Sequence, residues 1–145
     1  MRIRSVHDGD EARLAVLLGQ LGYPSTEQDV GRRLEYWLND PQSALLAAAD
    51  DDDRLIGVAA LHVTPILEVT GRFGRLVALV VDETARGRGV GRALVAAIEG
   101  RARAAGCLFM EVTSGGHRHA AHLFYEGLGY RDTRDRSRRF LRPLT

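Results

Sequence analysis

Residues 75–105 read RLVALVVDETARGRGVGRALVAAIEGRARAA. After Arg75 the first residues are all apolar, as in a strand buried on both faces. From Val90 to about Ala105 the apolar residues fall at helical spacing, and Gly106 follows as a stop. Between these segments ARGRGVGRA (85–93) crowds three glycines and three arginines into nine residues. Glycine costs backbone entropy, so such density needs a structural or chemical return. The first N–H groups of a helix lack intrahelical partners, and the helix dipole turns its positive end toward them. Glycine lets an anion reach those groups, and Arg86, Arg88 and Arg92 can add charge-assisted hydrogen bonds. The loop suits a pyrophosphate; on spacing alone it equally suits a tight strand-to-helix turn with surface arginines. Gly87-x-Gly89-x-Gly91 is not the dinucleotide fingerprint, and a chain without lysine has no Walker-type phosphate loop.

Outward from this stretch the chain reads as alternating strands and helices. IRSV (3–6) is a short strand. Asp8-Gly9-Asp10 turns the chain and caps a helix from Glu11 to Leu21, which Gly22-Tyr23-Pro24 breaks. Ser25 or Thr26 caps a second helix to about Asn39, with Val30, Leu34, Trp37 and Leu38 apolar. Strands are expected at 43–50 and 55–67, with a kink at Pro65, then a turn at 71–74 and a strand at 75–81. After the long helix come a strand at 107–113, a loop at 114–119 and a short helix at 120–126. YRDT (130–133) and RRFLRP (138–143) close the chain as two short strands. The order predicts an α/β domain with a mixed sheet.

The 145 residues fit one domain, 1–145, and can bury a sizeable core. No apolar run approaches the length of a membrane span, and the N-terminal stretch lacks a signal-peptide core, so a cytoplasmic protein without a membrane partner is expected. The net charge of +1 favours no polyanion in bulk. Arginines 131, 134, 136, 138, 139 and 142 make the C-terminus basic. Asp132 and Asp135 dilute that charge and no aromatic platform accompanies it, so no nucleic-acid partner is expected. Asp50 to Asp53 read as a solvated hairpin turn. Cys107, the single cysteine, reads as a small buried hydrophobe. His117, His119 and His122 lie close in sequence, but no acidic or cysteine ligand accompanies them and no metal site is expected.

Two motifs in order carry a resemblance. Arg86-x-x-Gly89-x-Gly91 follows Val80-Val81-Asp82 and precedes an amphipathic helix; downstream stands Ala121-x-x-Phe124-Tyr125-x-x-Leu128-Gly129-Tyr130. The pair resembles the acetyl-CoA pyrophosphate motif and the C-terminal helix motif of the Gcn5-related N-acetyltransferases, in particular a group of small bacterial members. The resemblance implies a mixed, mostly antiparallel sheet with a parallel, splayed central strand pair and about four flanking helices. It implies acetyl-CoA as co-substrate and direct transfer of the acetyl group to a primary amine of a small molecule or peptide. The pantetheine arm would pair with backbone at Leu79, Val80 and Val81. The pyrophosphate would lie on Arg86, Gly87, Arg88, Gly89, Val90, Gly91 and Arg92. Arg118, Ala121 and Phe124 would contribute from the second motif. Tyr125 matches the family's general acid. Homodimers are common in the family.

The pattern departs in two places. Ala78 stands where many relatives carry an acidic residue, so the usual base is missing. Glu111 and Glu68 are the substitutes that the sequence offers. Arg118 stands where relatives often have asparagine. The missing acid motivates an alternative reading, a non-catalytic acyl-CoA-binding or sensor module. Among the N-terminal helices, Glu35, Tyr36, Trp37 and Asp40 are candidates for an acceptor pocket, with Trp37 read as facing the core.

Overall fold

The structure, a computed structural model, describes residues 1–113 and 118–145. Two compact units emerge, Met1–Thr113 and Ser114–Thr145. The first holds β1 (Arg2–Ser5), α1 (Glu11–Leu21), α2 (Glu27–Trp37), β2 (Ser43–Ala49), β3 (Leu55–Pro65), β4 (Arg72–Val81), a 3₁₀ turn (Glu83–Ala85), α3 (Val90–Ala104) and β5 (Cys107–Val112). The strands form one sheet in the order β1-β2-β3-β4-β5. All pairs are antiparallel except β4 with β5, which is parallel. The mixed sheet expected from the sequence is therefore present.

Local chemistry explains the ends of the helices. Thr26 accepts from the Asp29 amide (3.0 Å) while Asp29 accepts from the Thr26 amide (3.2 Å), a reciprocal cap that starts α2. Gly22, at φ 107°, closes α1. Asp10 does not cap α1 with its side chain. Its carboxylate instead accepts two hydrogen bonds from Arg4 (2.8 and 3.0 Å) and one from the His7 amide (2.9 Å). The acid run at 50–53 is the hairpin turn between β2 and β3: Asp50 Oδ1 accepts from the amides of Asp52 and Arg54.

Helices cover both faces of the sheet. On one, Leu14 and Leu17 of α1 and Val30 and Leu34 of α2 pack on Ala47, Leu55, Val58 and Val80. On the other, α3 buries Val90, Leu94, Val95, Ile98 and Ala102. Glycine lets α3 sit close. A Cβ at Gly57 would come within 2.9 Å of Leu94 Cδ1, and one at Gly74 within 3.2 Å of Ala102 Cβ. Each fully buried leucine side chain contributes about 1.5–3 kcal/mol.

β3 and β4 pair one to one except at one place. Ala60 faces Ala78 and Leu61 faces Leu76, which leaves Val77 as an extra residue, a β-bulge. Directly paired residues share a face, so the bulge changes the face to which β4 residues of one parity point. Leu76 lies on the α3 side with Leu61, whereas Val80 lies in the α1–α2 core with Val58. The strand is consequently buried along one parity only; Val77 is exposed. It also begins at Arg72, so the turn expected at 71–74 lies earlier, where the Ile66 amide bonds the Gly71 carbonyl.

The second unit contains α4 (His119–Gly127). The loop expected over 114–119 lies for the most part outside the described residues. The two strands expected after Tyr130 are absent: residues 130–145 hold no strand, only a turn in which Thr133 accepts from the amides of Arg136 and Ser137. A strand is stabilised by neighbours that bury its alternate residues. Here Phe140, Leu141 and Leu144 are all exposed.

Candidate active site

The parallel pair β4–β5 opens at its end. Pairing stops at Leu76 and Val112, while β4 continues along β3 to Val81. The Asp82 amide donates to the Ile56 carbonyl (2.8 Å), which fixes the alternation. Ala78 and Val80 therefore bond β3, and Leu79 and Val81 turn their N–H and C=O away from it. Among the described residues no strand covers that edge beyond Leu76. The Val81 carbonyl accepts from Arg86 Nε (3.1 Å). The remaining outward groups have the geometry to pair with an extended ligand as an added strand does.

The glycine–arginine loop follows. Asp82, buried, accepts from the Thr84 amide (2.9 Å) and hydroxyl (2.8 Å), and from Arg13 of α1 (2.5 Å). These bonds, the Thr84 amide first, hold its carboxyl well below the usual carboxylate range. Arg13 also donates to the Leu55 carbonyl, so the root of the loop is tied to both α1 and β3. Gly87 and Gly89 have φ of 77° and 80°, where an L side chain is strained. A Cβ at either would meet nothing within 4 Å, so the space before the loop is open. Gly89 precedes α3 without any side-chain cap, and the first helical bond runs from the Ala93 amide to the Gly89 carbonyl. The amides of Val90, Gly91 and Arg92 thus point at open space, with Arg86, Arg88 and Arg92 exposed around them. This cradle fits a pyrophosphate.

On the α2 side of the sheet lies an open cleft of about 420 Å³, lined by Tyr36, Trp37, His62, Thr64, Phe73, Arg75 and Val77. Val77 is the bulge residue, so the cleft reaches the place where β4 departs from β5. His62 Nε2 stands 3.8 Å from Asp40 Oδ2, and His62 Nδ1 lies 3.3 Å from Thr64 Oγ1. Asp40 is fixed by the Ser43 hydroxyl (2.6 Å) and the Gln42 amide (3.1 Å), which with the Tyr36 phenol keep its carboxyl below the usual range. The charge on Asp40 in turn pushes the Tyr36 phenol up.

A bulged strand, an opened parallel pair and an uncapped helix start, in this chain order, coincide with a family match over residues 13–130 to the acetyltransferase (GNAT) family. The chain belongs to the GNAT acetyltransferase family. Membership brings acetyl transfer as its general chemistry. No protein of curated function matches the chain by sequence. Solved structures share the fold. A transcriptional regulator from Bacillus halodurans C-125 is 23% identical over 99% of both chains, with a TM-score of 0.86. A GNAT family acetyltransferase from Staphylococcus aureus is 23% identical over 99% of this chain and 98% of its own, with a TM-score of 0.82. Glucosamine-6-phosphate N-acetyltransferase from Arabidopsis thaliana is 19% identical over 99% of this chain and 98% of its own, also at 0.82.

Other residues singled out from this GNAT sequence occupy varied places. Glu111 pairs with Arg75 on the neighbouring strand (2.5 Å) and so orients a cleft-lining guanidinium. Glu68 is exposed in the β3–β4 hairpin and is not among the residues lining the cleft. Cys107 is half-buried opposite Arg72, and burial pushes its thiol up. In the second unit, Ala121 and Phe124 are half-buried on α4, and Arg118 is exposed at its start. The Tyr125 ring meets Phe124 (5.3 Å between centroids) and Tyr130 (5.9 Å) edge-on. Gly129, at φ 92°, folds the chain back so that the Tyr130 amide reaches the Tyr125 carbonyl (3.0 Å). Burial pushes the Tyr125 phenol up, against a smaller opposing pull from Arg118, so it carries its proton at neutral pH.

Of the four residues that the sequence offers for an acceptor pocket, Tyr36 and Trp37 line the cleft, Asp40 stands beside its His62, and Glu35 is exposed outside the lining; Trp37 is half-buried there rather than filling the core. His62, Thr64, Phe73, Arg75 and Val77 were missed. The available signal was His62 itself, the one ionisable side chain within the apolar run LIGVAALHV.

Proposed function

We propose that this chain is an acetyl-CoA-dependent N-acetyltransferase that moves the acetyl group directly to a primary amine. The observation that carries the reading is the continuity of one edge: outward backbone at Leu79 and Val81 leads straight to the uncapped amides at the start of α3. Leu79 and Val81 would hold the pantetheine arm; Val80, whose backbone groups face β3 and whose side chain lies in the α1–α2 core, would offer it no backbone partner. Arg86 to Arg92 would hold the pyrophosphate. The co-substrate supplies an activated thioester. The Leu79 N–H, turned into the opening, is suited to polarise its carbonyl, an oxyanion-type role. The acceptor amine would come from the cleft, which meets the same bulge. Tyr125 would return a proton to the departing thiolate, and Arg118, Ala121 and Phe124 would complete the cofactor side. The family match spans residues from both units, which supports reading 1–145 as one N-acetyltransferase domain.

Calorimetric titration with acetyl-CoA, beside a thiol-release assay over a panel of primary amines, tests this. Binding that is lost in Gly89→Glu, together with turnover of an amine, is the expected result. A folded wild type that does not bind acetyl-CoA would overturn the reading. The sensor alternative rests on Ala78, which leaves β4 without a carboxylate at its bulge; binding with no turnover of any amine would favour it.

A further inference from the structure

We propose that His62, backed by Asp40, is the proton acceptor for the incoming amine, and that the cleft receives an amine carried on an aromatic or apolar body. This rests on the acetyltransferase reading above. The first argument is chemical elimination within the cleft. Its lining offers two phenyl-type rings and an indole, a hydroxyl, an arginine, a valine and one imidazole. Arginine does not give up its proton, and the Tyr36 phenol is pushed up by Asp40. Among these groups only the imidazole offers a nitrogen lone pair that can accept a proton.

The second argument is charge. Asp40 approaches His62 from the α2–β2 connection, at 3.8 Å from Nε2, as a carboxylate fixed by three hydrogen-bond donors. Arg75 faces His62 from β4 as its direct cross-strand partner. Alone it would oppose an imidazolium, but Glu111 on β5 neutralises it. Ser43 faces from β2, Tyr36 from α2, and Thr64 from the same strand, all without charge at neutral pH. The balance around the ring is one net negative charge, which draws an incoming ammonium toward it. This also gives Glu111 a task other than that of a base.

The third argument is shape. Tyr36, Trp37, Phe73 and Val77 give the cleft an apolar wall, with Trp37 and Phe73 able to face a cation or a ring. The ammonium gives one proton to the imidazole. The lone pair so freed forms the C–N bond to the acetyl carbon, and the C–S bond breaks. The thiolate takes up a proton from Tyr125, and the proton that the new amide nitrogen sheds restores the phenol. The imidazolium, partly open to solvent, returns its proton to water.

The test uses the whole chain, acetyl-CoA and 2-phenylethylamine as the probe amine. His62→Gln is expected to lower kcat/KM by about 10²-fold, the lower range for general base catalysis, with acetyl-CoA affinity unchanged by calorimetry. The acid-side fall of the kcat/KM profile should disappear in that variant. Asp40→Asn should lower kcat/KM as well, and the double variant should be no slower than His62→Gln alone; a purely structural role would add its own loss. Should His62→Gln not fold, His62→Asn takes its place in the same comparison. A His62→Gln enzyme within threefold of wild type, with its acid limb intact, overturns this inference and leaves the acetyltransferase reading standing. If acetyl-CoA binds but the probe is neither acetylated nor able to shift the His62 ring signals by NMR, the cleft assignment is overturned. If the wild type does not bind acetyl-CoA, the functional reading falls and this one with it.

Discussion

The loop before α3 and the cleft beside α2 are built from different materials. The loop is backbone: amides at the start of a helix, two glycines in the left-handed region, and a buried aspartate that pins the root. The cleft is side chain: seven residues drawn from one helix and two strands, over a span from Tyr36 to Val77. A backbone site depends on a few consecutive residues and their conformations. A side-chain site depends on register and packing between distant elements. The two should fail differently.

The sharpest break is Gly89→Glu. It forces a side chain into positive φ and sets a carboxylate where the phosphates would lie. Acetyl-CoA affinity should fall by about 10³-fold, about 4 kcal/mol, measured by calorimetry. Arg88→Ala should cost far less, because the amides remain. A comparable loss in Arg88→Ala would mean that side chains, not backbone, hold the cofactor.

Next in size is Asp82→Asn, which weakens the tie between α1 and the loop. Removing one partner of a buried ion pair costs about 3 kcal/mol, to be read from urea unfolding at pH 7. The pH dependence has a definite sign. The folded-state pKa of Asp82 is depressed, so its contribution is complete above the unfolded value of about 3.9 and is lost as pH falls from there toward the folded value. The variant should therefore lose stability less steeply than wild type below pH 4.

Tyr125→Phe should lower kcat by about 10²-fold, as expected for loss of a general acid, with acetyl-CoA affinity unchanged. Equal turnover would remove the phenol from the chemistry. The smallest effect belongs to the cleft wall. Trp37→Leu should raise the KM for 2-phenylethylamine by about fivefold, about 1 kcal/mol, and leave acetyl-CoA binding alone.

This contrast explains what the sequence made legible. The strand, loop and helix of 75–105 are contiguous, so their glycines, arginines and apolar period could be read directly. So could a cap at Ser25 or Thr26, decided within a few residues. Val77 could not be recognised as a bulge, because a bulge exists only against the register of β3. His62 could not be joined to Asp40, because that pair requires β3 to lie beside the end of α2. Glu111 looked like a free carboxylate until the parallel register set Arg75 against it. The C-terminal arginine-rich segment had the alternation of strands but exposes its apolar residues on folding.

The bulge itself has a further consequence. The opening between β4 and β5 sits beside one surplus residue, and that residue is exposed. Deleting Val77 would return β3 and β4 to one-to-one register while leaving the pairs Val58–Val80 and Leu61–Leu76 as they are. The core would not register the loss. The opening, though not the cleft's chemistry, is thus written as a count of residues, and an in-frame deletion of one codon is expected to close it in a chain that still folds.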